Sequence, residues 1–212
     1  MKRIVVTGGP GAGKTAALET ARMSLCEHVA FASESASIVF RGGFPRLARP
    51  AAACAAQRAI YHVQRELESV YDDQDVDALL CDRGTLDCAA YWPTALDTFY
   101  RDVGTNHDEE LSRYALVIHL RPPPDGDGYE QRGLRIETAE EACRIDARIE
   151  RAWAGHPRRV FVEHTHDFAA KVERVLTIVR AELACNHLTT VPSGPDDRPH
   201  STRNELASEG AR

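Results

Sequence analysis

A run of eight residues near the start of the chain carries the strongest chemical signal: Gly8, Gly9, Pro10, Gly11, Ala12, Gly13, Lys14 and Thr15. The run matches the pattern G-x-x-x-x-G-K-T of a phosphate-binding loop and follows the apolar residues 4–6 directly. Glycines let the main chain turn so that its N–H groups converge on phosphate oxygens, and the helix that begins at the loop adds positive potential there. The pattern predicts that this loop, extended to Ala16, holds a nucleoside triphosphate. The alternative is a glycine-rich turn with a solvated lysine.

Two side chains of the loop have predicted roles. Lys14 reaches the β- and γ-phosphates in such a loop, and the Thr15 hydroxyl binds the Mg²⁺ ion that accompanies them. A second part of the same site is predicted at Asp82 and Arg83, directly after an apolar segment. Asp82 would hold the magnesium, directly or through water, while Arg83 neutralises the transferring phosphate. The alternative is a surface salt bridge that closes a strand. Hydrolytic ATPases place a second carboxylate after such an aspartate, so an arginine there favours a kinase.

A third charged group follows the predicted second strand at Glu34. A carboxylate at that edge could take the proton from an acceptor hydroxyl as it attacks the γ-phosphate. The alternative is a glutamate that caps or merely opens the following helix. Both interpretations stay open from the sequence.

Arginines in the segment 128–135 are the fourth candidate group. Arg132 lies between Gly128 and Gly133, and Arg135 follows Gly133 by two residues. The glycines would let the segment move. Such arginines could close over the triphosphate, stabilise transition-state charge and exclude water. The alternative is that they are solvated side chains of a polar loop.

Weaker candidates for contact with the phosphoryl acceptor lie on two predicted helices: Gln57, Arg58 and Tyr61 on one, and Asp87 and Tyr91 on the other. Many such polar residues are structural. His164 and His166 follow the predicted fifth strand, where they could border the nucleotide base. Two histidines at this spacing are more often loop residues than metal ligands.

Short apolar segments alternate with longer helical ones, which indicates β-α units and a parallel sheet. We expect an α/β fold of three layers, with five parallel strands (3–7, 28–32, 77–81, 114–120 and 159–162) and helices on both faces. The helices are predicted over 13–26, 50–71, 85–100, 138–153 and 167–184. Ile60, Val63, Leu67 and Val70 form the apolar stripe of the second helix, and Pro93 interrupts the third. The folded domain is predicted over 1–185, followed by a disordered tail, 186–212.

Composition narrows the class of protein further. The 212 residues are 43% hydrophobic and 27% charged, with a formal charge of −6, which argues against a polymeric nucleic acid as the substrate. The six cysteines lack zinc-ligand or C-x-x-C spacing, which favours reduced thiols. We find neither a secretory signal nor a membrane span and expect a cytoplasmic protein with no membrane partner. The sequence leaves the oligomeric state open.

In these residues, the chain resembles P-loop kinases of the nucleoside and nucleotide kinase group. More closely it resembles the AAA-type predicted ATPase/kinase domain family related to the ribosylnicotinamide kinase half of the bifunctional NAD regulator. The matching features are the loop 8–15, Glu34, the run 82–84 with Asp87 and Tyr91, the segment 129–137, and His156 with Pro157.

The resemblance implies a nucleoside-kinase-like fold, ATP with Mg²⁺ as the donor, and a small hydroxyl-bearing acceptor. It also implies that Glu34 is the base, Asp82 the metal-side carboxylate and Arg83 a phosphate clamp. The chain departs from the family where an arginine is expected soon after Glu34, because Ser35 and Ser37 stand there with Ala36 between them. The expected function is therefore an ATP- and Mg²⁺-dependent phosphotransferase acting on a small hydroxyl or phosphate acceptor. The alternative is an ATPase or GTPase switch or binding module.

Overall fold

The computed structural model describes residues 1–123 and 138–183. Several predictions fall outside the described residues: the arginine-bearing segment with Arg132 and Arg135, and the tail 186–212. Within the described part, no helix is both long enough and apolar enough to traverse a lipid bilayer.

Five parallel strands form one sheet: β1 (Lys2–Thr7), β2 (Val29–Ala32), β3 (Ala78–Asp82), β4 (Leu116–Leu120) and β5 (Arg159–Val162). Their order across the sheet is β2-β3-β1-β4-β5. Val5 of β1 is level with Cys81 of β3 on one side and with Val117 of β4 on the other. The predicted five-stranded parallel sheet is confirmed, and the places where its strands end define one edge at which a ligand can bind.

Eight helices connect and cover the strands in the described residues: α1 (Lys14–Ser24), α2 (Ser35–Arg41), α3 (Pro50–Ser69), α4 (Thr85–Ala90), α5 (Leu96–Val103), α6 (His107–Ser112), α7 (Ala139–Ala152) and α8 (Phe168–Leu183). The helix predicted over 85–100 is two helices, α4 and α5. Pro93 lies between them, where its missing N–H and fixed φ prevent a continuous helix. The short helix α6 was not predicted; the Asn106 side chain caps it by accepting the Glu109 N–H.

The alternation of side chains along each strand divides the core between the two faces of the sheet. One buried cluster joins Val5, Leu79 and Val117 to residues of α3, α4 and α7, including Ile60, Leu86 and Ile149. The other joins Ile4, Leu80 and Ile118 to residues of α1 and α8, including Leu18 and Val175. The three-layer arrangement expected from the sequence is therefore observed.

The buried face of α3 differs from the predicted stripe. Its buried residues are Ala56, Ile60, Tyr61, Gln64 and Glu68, whereas Val70 is 63% exposed. Tyr61, predicted on the polar face, points into the core and donates its hydroxyl to Glu110 over 2.7 Å. The prediction was right for Ile60 and wrong for Tyr61 and Val70. Tyr61 is buried because α3 also packs onto a buried polar network, which apolar periodicity does not detect.

Candidate active site

The phosphate-binding loop spans the turn between β1 and α1, where three glycines adopt left-handed backbone angles. The φ values are 130° at Gly8, 79° at Gly11 and 91° at Gly13. A Cβ atom on Gly8 would lie 2.0 Å from the carbonyl oxygen of Leu120, and one on Gly13 would lie 2.6 Å from the Phe168 ring. Both backbone angle and space therefore require glycine at Gly8 and Gly13.

Lys14, the first residue of α1, is buried beneath this loop. Its Nζ donates to the carbonyl oxygens of Gly8 at 2.9 Å and Gly9 at 2.8 Å. Burial lowers the pKa of Lys14 to about 7, helped by the nearby Arg83 guanidinium and opposed by the carboxylates around it. An anion beside this amine would favour its charged form, so a polyphosphate bound in the loop would be paired with an ammonium group.

Asp82 and Thr15 meet on the other side of the loop. The Thr15 hydroxyl donates to Oδ2 of Asp82 over 3.2 Å. The other oxygen, Oδ1, is buried and has no hydrogen-bond partner among the described residues. Burial raises the pKa of Asp82 above its usual range, against the effect of Lys14. A buried carboxylate oxygen without a donor, next to a hydroxyl, is the hard oxygen set that Mg²⁺ prefers, so these two residues fit that ion.

Arg83 occupies the turn between β3 and α4 with a φ of 75°, unusual for a residue with a side chain. Its Nε donates to Oε1 of Glu34 at 2.8 Å, and its Nη1 lies 3.3 Å from Oδ1 of Asp87 and 3.4 Å from the Gly8 carbonyl oxygen. The guanidinium also lies over the Tyr91 ring, 5.6 Å from its centroid. Arg83 thus joins the second and third strand ends to the phosphate-binding loop.

Glu34 stands at the N-cap position of α2, but its side chain makes no capping bond. Instead, its carboxylate pairs with Arg83 and accepts the Ser37 hydroxyl at 2.5 Å. Burial alone would raise the pKa of Glu34, but Arg83 and Ser37 outweigh it and lower the value to about 2. The group is therefore a fixed anion at neutral pH.

Asp87 is a buried junction one helical turn after Arg83. It accepts the Thr7 hydroxyl at 2.5 Å, the Gly84 N–H at 3.0 Å and the Trp153 indole N–H at 3.3 Å. With Arg83 as a fourth partner, Asp87 fixes the turn that carries the guanidinium.

A cavity of about 430 Å³ opens from these groups. The residues of the loop and of the strand ends that line it are Pro10, Gly11, Lys14, Thr15, Glu34, Arg83 and Gly84. The remaining lining residues are Ser35, Ala36, Ser37, Phe40, Arg46, Leu47, Ala48, Ala53, Ala56, Gln57, Ile60, Asp87, Cys88 and Tyr91. Three of the five acceptor candidates, Gln57, Asp87 and Tyr91, thus lie in one place. The other two do not line the cavity: Tyr61 is buried against Glu110, and Arg58 pairs with Asp102 at 3.0 Å.

A second cavity of about 450 Å³ lies where β4 and β5 end. Arg121, Pro122, Cys143, Asp146, Ala147, Glu163 and His164 line it. His164 thus lies at the β4–β5 side of the sheet, away from the first cavity. The His166 ring contacts the His164 ring, with centroids 5.4 Å apart. A role for either histidine beside a nucleotide base stays a prediction.

Asp146 contacts the phosphate-binding loop and was missed from the sequence. Its Oδ1 accepts the Gly9 N–H at 2.7 Å from a position 137 residues away. One signal was available: Ala142, Ile149 and Trp153 form the buried face of the helix 138–153, and Asp146 falls on that face. A carboxylate in an apolar stripe requires a buried partner.

Together the loop, the sheet order and the strand-end residues define a P-loop NTPase-type domain. A family model described as an AAA domain matches residues 3–171, and the chain belongs to that family. No curated protein matches the chain. Among solved structures, deoxyadenosine kinase from M. mycoides with bound dATP is similar with a TM-score of 0.60 and 12% sequence identity, covering 84% of this chain and 99% of that chain. At that identity, the likeness shows that the two proteins share a fold.

Proposed function

We propose that this protein is an ATP- and Mg²⁺-dependent kinase that transfers the γ-phosphate to a hydroxyl of a small, nucleoside-like molecule. One observation carries the proposal: the same cavity is lined by Lys14 and Thr15, by Glu34 and Arg83, and by a group of mainly apolar residues from α2, α3 and α4. A kinase needs such a cavity because the acceptor must face the outermost phosphate.

The donor half of the proposed site is the phosphate-binding loop, residues 8–16. Its N–H groups and Lys14 would hold the phosphates, while Thr15 and Asp82 would hold Mg²⁺. In that position the ion would supply positive charge that offsets the charge developing on the phosphate oxygens. Arg132 and Arg135 remain proposed phosphate contacts; both lie outside the described residues.

The part of the cavity beyond the phosphate-binding loop has the chemistry for a nucleoside-like molecule. The whole cavity, of about 430 Å³, is in the range of small-ligand sites, and Phe40, Ile60 and Tyr91 supply apolar and aromatic surface. Gln57 adds an amide that can donate and accept at once, as recognition of a heterocyclic edge requires. The fold shared with a deoxyadenosine kinase supports this assignment by analogy.

In the proposed reaction, the acceptor hydroxyl oxygen attacks the γ-phosphorus and the bond to the ADP oxygen breaks. The hydroxyl first donates a hydrogen bond to Glu34 and transfers its proton to that carboxylate as the new bond forms. A weak base such as Glu34 suffices for this transfer. In a loose transition state the new bond to phosphorus is barely formed, so the hydroxyl becomes acidic only late in the reaction. Arg83, held by Glu34 and Asp87, offsets charge on the moving phosphoryl group.

The test is acceptor-dependent ADP formation with ATP, Mg²⁺ and a panel of nucleosides. Asp82→Asn should lower kcat by about 100-fold or more while the Kd for ATP without metal stays within about threefold of wild type. The matched control is Asp77→Asn, an exposed aspartate just before the same strand and at its opposite end. It should leave both quantities unchanged.

Two results would contradict the proposal. ATP hydrolysis that no acceptor stimulates would favour a nucleotide-dependent switch instead. Equal turnover in Asp82→Asn and Asp77→Asn would show that the Asp82 carboxylate takes no part in phosphoryl transfer.

A further inference from the structure

Helix α7 packs directly on the phosphate-binding loop at Gly9. A Cβ atom on Gly9 would lie 2.9 Å from the carbonyl oxygen of Ala142 and 2.9 Å from the Cβ of Asp146. Asp146 is only 5% exposed, and its Oδ1 accepts the Gly9 N–H at 2.7 Å. This loop amide is therefore turned toward the protein's own carboxylate.

The peptide group between Gly8 and Gly9 is held at both ends. Its N–H, on Gly9, donates to Asp146, and its C=O, on Gly8, accepts from Lys14 at 2.9 Å. A Lys14 side chain that turns to bind phosphate gives up its bond to that carbonyl. The C=O then keeps only the longer contact from Arg83 Nη1, at 3.4 Å, while the N–H keeps its bond of 2.7 Å to Asp146, which is the shorter contact that orients this peptide plane.

Asp146 is itself held rigidly by two further donors. His119 Nε2 lies 2.8 Å from its Oδ1, and Arg121 Nη1 donates to its Oδ2 at 2.9 Å. Burial disfavours the ionised carboxylate, but hydrogen bonds from His119, Arg121 and Gly9 outweigh it and lower the pKa of Asp146. Because these donors offset the charge of Asp146, the carboxylate adds little repulsion to a phosphate bound in the neighbouring loop.

We propose that Asp146 is a positioning residue for nucleotide binding, which holds the Gly8–Gly9 peptide group in the orientation that the loop needs when Lys14 engages phosphate. The proposal rests on the nucleotide binding proposed above. It gives Asp146 no contact with substrate and no part in proton transfer.

The test compares Asp146→Ala with Asp146→Asn. Asparagine keeps an oxygen that can accept the Gly9 N–H. Its amide nitrogen then takes the place of the oxygen that pairs with Arg121, so the ion pair is lost. The control is Glu150→Gln, which removes the other carboxylate partner of Arg121, 2.7 Å away on the same helix. Calorimetry gives the Kd for Mg-ATP, and amide hydrogen exchange by NMR gives the protection of Gly9 in nucleotide-free protein.

Asp146→Ala should raise the Kd for Mg-ATP about tenfold or more and speed the exchange of Gly9 by a similar factor. Asp146→Asn should keep both within about threefold of wild type, although its Tm falls because the ion pair is lost. Glu150→Gln should change neither. A purely structural role would lower the Tm of both Asp146 variants and leave the Kd of each unchanged.

Unchanged Mg-ATP affinity and Gly9 exchange in Asp146→Ala would overturn this proposal alone. Equal losses in Asp146→Asn and Asp146→Ala would also overturn it, because the ion pair and not the Gly9 contact would then matter. A wild-type chain without ATP affinity would remove the proposed function as well. If Asp146→Ala does not fold, Asp146→Ser, with a shorter polar side chain, replaces it under the same readouts.

Discussion

Nucleotide binding should take up a proton at Lys14. In the ligand-free protein, burial and the neighbouring Arg83 lower the pKa of this amine to about 7. Phosphate oxygens beside the amine favour its charged form and return the pKa toward its ordinary range. Above pH 7 the free site is therefore largely neutral while the bound site is charged.

The magnitude follows from the two protonation states. With a free-state pKa of about 7, about 0.9 of the Lys14 amines are neutral at pH 8, so binding takes up about 0.9 proton there and about 0.5 at pH 7. Affinity must fall as pH rises, because each binding event needs that proton. Between pH 7.5 and 9 the expected loss is about 20-fold, in a range where the ATP phosphates are already ionised.

Calorimetry of ATP binding in two buffers with different ionisation enthalpies measures the uptake directly. Lys14→Arg is the control, since a guanidinium stays charged throughout this range and should abolish the uptake whatever it does to affinity. An uptake near zero at pH 8 in the wild type would refute the reasoning. So would an unchanged uptake in Lys14→Arg, which would assign the proton to another group.

Three further predictions concern the cavity and the loop. Glu34→Gln should lower kcat by about 100-fold or more with the Kd for ATP within about threefold of wild type, as steady-state kinetics and calorimetry would show. Gly8→Ala should destabilise the fold by about 3 kcal/mol in urea unfolding, because its Cβ would meet the Leu120 carbonyl at a strained φ. Gln57→Ala should raise the KM for the acceptor about tenfold, whereas Arg58→Ala one residue on should leave it unchanged.

Each of these predictions has a clear contrary result. Full turnover in Glu34→Gln would show that Glu34 is not the base and that its role is to pair with Arg83. Wild-type stability of Gly8→Ala would mean that the backbone near Gly8 can shift away from β4 and make room for the added Cβ atom. A KM effect in Arg58→Ala equal to that in Gln57→Ala would mean that the face of α3 toward the acceptor was misassigned.

The sequence was sufficient where the determinants are local. The glycines and Lys14 of the phosphate-binding loop are a contiguous pattern, and short apolar strands between helices predict a parallel sheet. Asp82 could be placed near the loop because parallel strands end at the same edge, which brings β1 and β3 together.

The sequence was insufficient where burial or contact depends on distant partners. Tyr61 looked polar on a helical wheel, but Glu110, 49 positions away, gives its hydroxyl a buried acceptor. Asp146 has no local motif, and only the packing of α7 brings it to Gly9. Periodicity reports which face is buried when burial is apolar, and both of these residues are buried by polar contacts.

The backbone at Arg83 is strained, and the strained residue is the one whose side chain reaches the site at this edge of the sheet. A φ of 75° costs a residue with a Cβ about 1 kcal/mol, which glycine would avoid. The glycine instead occupies the next position, Gly84, where a Cβ would lie 2.8 Å from the Trp153 ring. The turn thus keeps its small residue for close packing and carries its strain on the residue whose side chain reaches Glu34, Asp87 and the loop. Strain that persists because several contacts over-determine it is typical of functional sites, and here those contacts join the two halves of the proposed kinase site.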